Sequence, residues 1–317
     1  MAQFKVSVVI PTRDRQRELI ACLEAIQQQT FPAEDYEILI CDDGSTEDLK
    51  PALAPFQTKL SLVYLRQMPQ GPAAARNLGI RNARAPIVAM TDSDTLPDRE
   101  WLAQLMATLQ ANPQAVAVEG KVTSKNPDEF GALGEGPTNL EGGVYLTCNC
   151  AYRREILLKA GGFDESFPYP AYEDVELAAR VRPWGDIVWQ PEAVVYHPRR
   201  RITASTVIKK LKHWEYVLIM GFRYGYLGWP RYSVSHPVGR VILLSVIALP
   251  LSKFKDALSW LLRKPVTSVE LCRLGLLEAF GALFLVVPAI ISGKYKQKIQ
   301  RKNYLSDLAL PGVIPGV

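Results

Sequence analysis

The chain has 317 residues, of which 48% are hydrophobic and 22% charged, with a formal net charge of +5. These values exclude a largely disordered chain, and the length suits one main domain with an appendage. Five cysteines (Cys22, Cys41, Cys148, Cys150 and Cys272) form an odd set without paired metal spacings, which argues against a disulfide framework or a zinc site and for a reducing cytoplasm.

The first six residues lack the basic start and unbroken apolar run of a secretory leader, so export of the N-terminal domain is not expected. Charge is divided unevenly along the chain. Residues 1–198 hold 18 Lys and Arg against 27 Asp and Glu, while residues 199–317 hold 19 against 5, giving −9 and +14. A basic half with apolar runs points to anionic lipid or nucleic acid.

In chain order, residues 6–10 form a short β-branched run that reads as a strand. Pro11-Thr12-Arg13 breaks it, and Leu19, Leu23 and Ile26 carry helical spacing within residues 16–29. The alternation continues with strands at 36–41, 60–65 and 87–90 and helices at 46–56 and 71–82. Alternating units of this kind predict a parallel sheet, whose ligands bind beyond the carboxyl ends of its strands.

Two of those strand ends carry acids: Asp42-Asp43-Gly44-Ser45 and Thr91-Asp92-Ser93-Asp94. The first reads equally as a strand-ending turn with a helix cap. In the second, Asp92 and Asp94 repel each other unless a cation or hydrogen bonds compensate them, the other reading being a solvated turn. A hard divalent cation, Mg2+ or Mn2+, suits carboxylate plus phosphate oxygens. Between the clusters, Gly71-Pro72-Ala73-Ala74-Ala75-Arg76-Asn77 opens a helix with small residues and one arginine placed to contact a phosphate or hold an acid cluster.

Taken with Pro11-Thr12-Arg13-Asp14-Arg15, these blocks resemble glycosyltransferase family 2 in order and spacing. A later series extends the likeness: Thr147-Cys148-Asn149-Cys150, Gly161-Gly162-Phe163-Asp164-Glu165, and Tyr172-Glu173-Asp174-Val175-Glu176-Leu177 with Arg180. The resemblance covers roughly residues 4–200.

It implies a GT-A (Rossmann-like) α/β fold, a mostly parallel sheet flanked by helices, with a C-terminal helical, membrane-associating region. The expected organisation is a catalytic domain at 1–202, with a nucleotide-sugar half at 1–95 and an acceptor half at 96–202, followed by a basic, apolar region at 203–317. The implied activity is inverting transfer of a sugar from a nucleotide-diphosphate donor to a hydroxyl of a glycan or lipid-linked glycan in cell-surface polysaccharide synthesis.

Residue by residue, the resemblance carries donor binding to Pro11, Thr12, Arg13, Asp43, Arg76, Asp92 and Ser93. It places metal contact at Asp94 and His197, the general base at Asp174, and Glu173 and Arg180 on the acceptor side. A hydroxyl attacking an anomeric carbon needs a positioned carboxylate, and a diphosphate leaving group needs a metal. Against this, Glu173, Asp174 and Glu176 also read as acids favoured by a helix N-terminus. Cys148 and Cys150 read as alternating on a strand, one toward the core and one toward the cleft; Tyr169, Trp184 and Trp189 read as core or as sugar-stacking rings.

Beyond Arg201, basic residues such as Lys209, Lys212, Arg223 and Arg231 interleave with Trp214, Tyr216, Phe222 and Trp229, a composition suited to a bilayer interface. The apolar run 241–251 is too short to cross, and 274–291 contains Glu278 and Pro288. Helices lying in an anionic cytoplasmic membrane face keep Lys253, Lys255, Arg263, Lys264 and the 294–302 tail on one side, so this reading ranks above a spanning hairpin. Nucleic acid is not expected as a partner, for want of a base-reading module. Thr12-Arg13-Asp14-Arg15 in place of Gly-x-Gly-x-x-Gly sets aside a dinucleotide-binding dehydrogenase. The alternative kept open is a catalytically silent sugar-binding or scaffold protein on the same fold.

Overall fold

A computed structural model describes residues 4–167, 172–211, 249–260 and 265–292. Tyr169, the aromatic and basic stretch 212–248 with most of the run 241–251, Arg263, Lys264 and the tail from 293 onward lie outside the described residues. The chain divides into two compact units, 4–125 with 137–198, and 126–136 with the described part of 199–301.

The first unit is built on an eight-stranded sheet. β1 (Val6–Thr12), β2 (Tyr36–Asp42) and β4 (Ile87–Met90) are buried along their whole length, which is why they are rich in Val, Ile and Leu; the buried Ser7 and Glu37 bond each other at 2.7 Å. β3 is Leu62–Arg66, β5 Leu96–Pro97, β6 Ala117–Thr123, β8 Cys150–Arg153 and β9 Ile187–Tyr196. Their order is β3-β2-β1-β4-β8-β6-β9-β5.

The expected parallel pairing holds for β1 with β2 and β4, and for β2 with β3. Beyond β4 the sheet is mixed: β8 runs antiparallel to β4 and β6, and β5 antiparallel to β9, while β6 and β9 are parallel. The parallel pairs still outnumber the others, so the sheet is mostly parallel.

Side-chain alternation on β1 divides the core between the sheet's faces. Val8 and Ile10 pack with Leu19, Leu23 and Ile26 of α1 (Gln16–Gln27) and with Trp101 and Leu105 of α4 (Trp101–Ala111). Val9 packs with Ala73, Ala75 and Ile80 of α3 (Pro72–Asn82), and with Phe163 and Leu177. The α1 stripe repeats every three or four residues, as an amphipathic helix must to cover a sheet.

α2 (Lys50–Gln57) begins four residues later than its composition predicts. Residues 42–46 are drawn into a turn instead: Asp42 Oδ1 accepts from Ser45 N (2.8 Å) and Oγ (2.6 Å), and Thr46 N donates to Asp14 Oδ1 (2.7 Å). The strand-ending turn read from this cluster is present, but α2 is capped at Leu49, without a side-chain bond, and not by the cluster. Cys148 and Cys150 do not alternate about the sheet. Cys148 lies in the 3-10 turn Thr147–Asn149 before β8, and both thiols are buried.

In the second unit, β7 (Gly134–Glu135) pairs antiparallel with β10 (Arg200–Arg201), and Leu133 packs with Val207 of α7 (Ala204–Leu211), Ala257, Leu271 and Leu274. Ala257 lies on the helix Leu249–Trp260, and Leu271 and Leu274 on the helix Pro265–Gly281. The latter continues through a π-helical turn, Ala282–Val286, into Val287–Ile291. Pro288 explains the turn: its ring opposes the carbonyl four residues earlier, and widening the preceding turn relieves that. No helix among the described residues is long and apolar enough to cross a membrane.

Gly79 marks where α3 presses closest on the sheet. A Cβ there would collide with Val9 and lie 2.9 Å from Cys41 Sγ. Gly79→Ala is expected to lower stability by about 1 to 3 kcal/mol despite alanine's better helix propensity, as read by urea denaturation.

Candidate active site

The carboxyl ends of β1, β2 and β4 converge, and the loops leaving them carry the acids. At the first corner Asp14 takes a left-handed conformation (φ 51°) and donates its N–H to Ser45 Oγ at 2.9 Å. The Thr46 N–H lowers the Asp14 pKa, although the carboxyl is open to solvent. Asp43 N donates to Thr12 O at 2.9 Å, joining the two strand ends.

The Asp43 carboxylate is filled by its own chain. Oδ1 accepts from Gln67 Nε2 (2.9 Å) and Gln70 N (2.8 Å), Oδ2 from Gly71 N (2.9 Å), and Arg13 Nη1 lies 4.0 Å away. It thereby fixes the loop that opens α3 at Gly71, whose φ of 97° favours glycine. Pro11 and Thr12 are buried, Arg13 is exposed, and the Thr12 hydroxyl has no protein partner. Four predicted donor-side residues, Pro11, Thr12, Arg13 and Asp43, therefore gather at one corner.

Past β4, the Asp92 carbonyl accepts from Thr95 Oγ1 (2.8 Å), and Thr91 Oγ1 donates to Cys148 O (3.0 Å). This turn buries Ser93 and sends the two carboxylates to different partners. Asp92 Oδ1 accepts from Arg76 Nη2 at 2.8 Å, whereas Asp94 Oδ2 accepts from Arg15 Nη1. Arginines thus supply the compensation that the Asp-x-Asp spacing requires.

His197 follows β9 at the opposite margin, with its N–H donated to Thr123 O at 2.8 Å. Its Nδ1 lies 2.9 Å from Pro198 O, and its Nε2 3.7 Å from Asp94 Oδ1. In the tautomer that donates Nδ1–H to that carbonyl, Nε2 and Oδ1 face each other as two lone-pair atoms, a donor set that fits a shared hard or borderline cation. No group of three or more His, Cys, Asp or Glu side chains among the described residues forms a metal site, so a cation here draws its remaining ligands from elsewhere.

Arg76 ties this edge to α6 (Glu173–Val181). Its guanidinium is 3% exposed, lies over the Phe163 ring at 5.7 Å, and donates from Nη1 to Glu173 Oε1 at 2.9 Å. Burial opposes its charge, yet the carboxylates of Asp92 and Glu173 outweigh that and raise its pKa. Arg76 Nε and Glu173 Oε2 have no hydrogen-bond partner.

Asp174, at the first turn of α6, accepts from Val175 N at 2.8 Å. The residue is half-buried. Burial, then the charge of Glu173, pushes its pKa up to about 7. A carboxylate poised near neutrality in a cleft has the properties of a general base.

Two predicted acceptor-side residues are placed inside the protein. Glu173 is 2% exposed and turned to Arg76. Arg180 chelates Glu176, from Nε at 2.8 Å and from Nη2 at 2.6 Å, and also donates to Gly162 O at 2.6 Å, stapling α6 to the chain after α5 (Arg154–Lys159). Trp184 is exposed and Trp189 partly so.

Sequence reasoning passed over Arg15, which sits in the same strand-end loop as Thr12, and Glu119. The latter, a buried acid on β6, accepts from Gly143 N (2.5 Å), Tyr145 N (2.8 Å) and Asn139 Nδ2 (2.9 Å), shaping the loop beside the site. Its signal in the sequence was an acid following the apolar residues 115–118 at the start of a strand.

Residues 7–159 match the family model described as Glycosyl transferase family 2. The hyaluronan synthase of Pasteurella multocida is 27% identical over 240 residues, 61% of this chain and 24% of that protein. Glycosyltransferase AglE of Haloferax volcanii is 27% identical over 168 residues, 50% of this chain and 55% of that one. The chain thus spans less than two thirds of the length of either relative. Among solved structures, mannosyltransferase PcManGT from Pyrobaculum calidifontis, in complex with GDP-Man and Mn2+, superposes with a TM-score of 0.62 at 21% identity, covering 90% of this chain and 88% of that one. S. aureus TarS 1-349 gives a TM-score of 0.54 at 16% identity, covering 85% and 89%. The fold is the Rossmann-like GT-A fold.

Arg180→Met is expected to cost about 3 to 5 kcal/mol, because it strands the buried Glu176 charge, a loss read by chemical denaturation.

Proposed function

We propose, for a chain placed in glycosyltransferase family 2 by its residues 7–159, that it is an inverting transferase moving a sugar from a nucleotide-diphosphate donor to an acceptor hydroxyl, with Asp174 as general base. The observation that carries this reading is the Asp174 carboxyl, its pKa pushed to about 7 and joined through Glu173 and Arg76 to Asp92 at the strand ends where donors of such sheets bind.

In this reading the nucleotide occupies the corner formed by Pro11, Thr12, Arg13 and Asp43, with the Thr12 hydroxyl still able to hydrogen-bond a ligand. Arg76, Asp92 and Ser93 line the side nearer the ribose and diphosphate. Asp94 and His197 would hold Mg2+ or Mn2+, and the Mn2+ in the PcManGT complex supports a divalent ion. When bound, such an ion neutralises charge developing on the departing diphosphate.

Asp174 accepts the acceptor's proton as that oxygen forms its bond to the anomeric carbon and the carbon–diphosphate bond breaks. One base and a single displacement give inversion. The acceptor in this reading is a glycan or lipid-linked glycan of cell-surface polysaccharide, and the hyaluronan synthase among the relatives supports a glycan.

The second unit supports work at an anionic, cytoplasmic membrane face. Val266, Val269, Leu276, Phe280, Leu283 and Phe284 are 48% to 79% exposed, an apolar series interrupted between Val269 and Leu276 by the exposed Arg273. Leu271 and Leu274, on the same helix, face the unit's own core. An exposed apolar series in a segment carrying +14 suits the boundary of an acidic bilayer.

Two expected outcomes test these assignments. With a panel of UDP-, GDP- and dTDP-sugars and Mn2+, Asp174→Asn should cut kcat by about 10²- to 10⁴-fold. Asp94→Ala should abolish the response to metal, and wild-type activity should rise with pH through about 7 as Asp174 ionises. Metal-independent nucleotide binding without turnover, unchanged by either substitution, would leave the silent-scaffold reading. Separately, the full chain should co-sediment with phosphatidylglycerol-containing vesicles and not with pure phosphatidylcholine. Phe280→Asp combined with Phe284→Asp should weaken that binding about tenfold or more, for the loss of two buried rings.

A further inference from the structure

Glu173 does not face the cleft, so its place next to the base calls for another account. Its carboxylate is 2% exposed, one oxygen is held by Arg76 at 2.9 Å, and the other has no hydrogen-bond partner. A half-satisfied buried acid costs stability, and an apolar residue or Gln would fill the position more cheaply if packing were its only task. Its neighbour in sequence is Asp174, and the two carboxyls share the first turn of α6.

We propose that Glu173 is a positioning residue for the base: clamped by Arg76, it sets the pH at which Asp174 accepts a proton. Arg76 opposes the upward push of burial on the Glu173 carboxyl itself. The inference rests on the assignment of Asp174 as base and adds to it the device that tunes that base. The groups acting on Asp174 are Glu173 on its own helix, Arg76 from α3, and Cys148, Cys150 and Tyr152 from the β8 segment. Burial pushes the thiols and the phenol upward, so they are uncharged at neutral pH and leave Glu173 and Arg76 as opposing charges, with Asp92 of the loop after β4 sharing the guanidinium.

The signs follow from that opposition. The negative charge of Glu173 disfavours ionised Asp174 and raises its pKa, while the positive charge of Arg76 lowers it. Asp92 and Glu173 both draw on the arginine's charge, and what remains for Asp174 is a base titrating near neutrality. Neutralising Glu173 removes the like charge and releases Arg76 to favour ionised Asp174.

The test is the pH profile of kcat/KM, measured with the best sugar nucleotide of the panel and Mn2+, for wild type, Glu173→Gln, Glu173→Asp, Arg76→Gln and Asp174→Asn. UDP or GDP affinity and the thermal midpoint report whether each variant folds. Glu173→Gln should move the acidic limb down by about one pH unit or more, Glu173→Asp should keep it near wild type, and Arg76→Gln should move it up. An unmoved limb in folded Glu173→Gln overturns the proposal, whatever happens to kcat, because a purely structural Glu173 would change rate without changing titration. Should Glu173→Gln fail to fold, an unmoved limb in Arg76→Gln does the same. Full transfer by Asp174→Asn would overturn the base assignment itself, an outcome distinct from either.

Discussion

A guanidinium with 3% exposure, Arg76, makes the rest of the site possible. Its two acid partners lie 16 and 97 residues away in sequence, one on the loop after β4 and one on α6. Without a buried cation between them, Asp92 and Glu173 would be like charges in a poorly solvated space, and neither segment could take its position. The small residues Ala73, Ala74 and Ala75 before it let α3 lie close to the sheet, which brings the arginine to the strand ends. The arginine therefore connects strand, turn and helix more firmly than hydrophobic contact alone, since a charge pair has direction where apolar burial has none.

The parts of the fold legible in the sequence were those governed by local rules. Buried parallel strands announced themselves as short apolar runs rich in β-branched residues at Val6–Thr12 and Ile87–Met90, and α1 by its stripe at Leu19, Leu23 and Ile26. Strand direction beyond β4 was not legible, because Cys150–Arg153 has the same alternation whichever way it pairs. The late start of α2 was hidden for a related reason. The Asp42–Ser45 bonds of the turn are local, but Thr46 N is satisfied by Asp14, thirty-two residues earlier, a partner that a local window does not contain.

The candidate site shows the same division. The sequence placed carboxylates at strand ends, and a motif order brought in Asp174 and His197. It could not say which acid meets which base. Asp92 and Asp94, two positions apart, are held by different arginines, and Glu173 and Arg180, placed on the acceptor side by resemblance, are held by Arg76 and Glu176. Orientation of a side chain on a helix is decided by what faces it from other elements, information that no linear spacing contains.

One feature of the chain's path bears on its synthesis. Residues 126–136 belong to the second unit, yet they emerge between β6 and β8 of the first. Their partners come much later: Leu133 O accepts from Ile202 N at 2.7 Å, and Arg199 donates to Pro127 O at 2.7 Å. On the ribosome this segment must stay unpaired while some sixty further residues are made, and a nascent chain cut short at 198 would keep its apolar Leu133 without a cover. The two units are thus separate in packing but cannot be separated by one cut, and the second begins to be written before the first is finished.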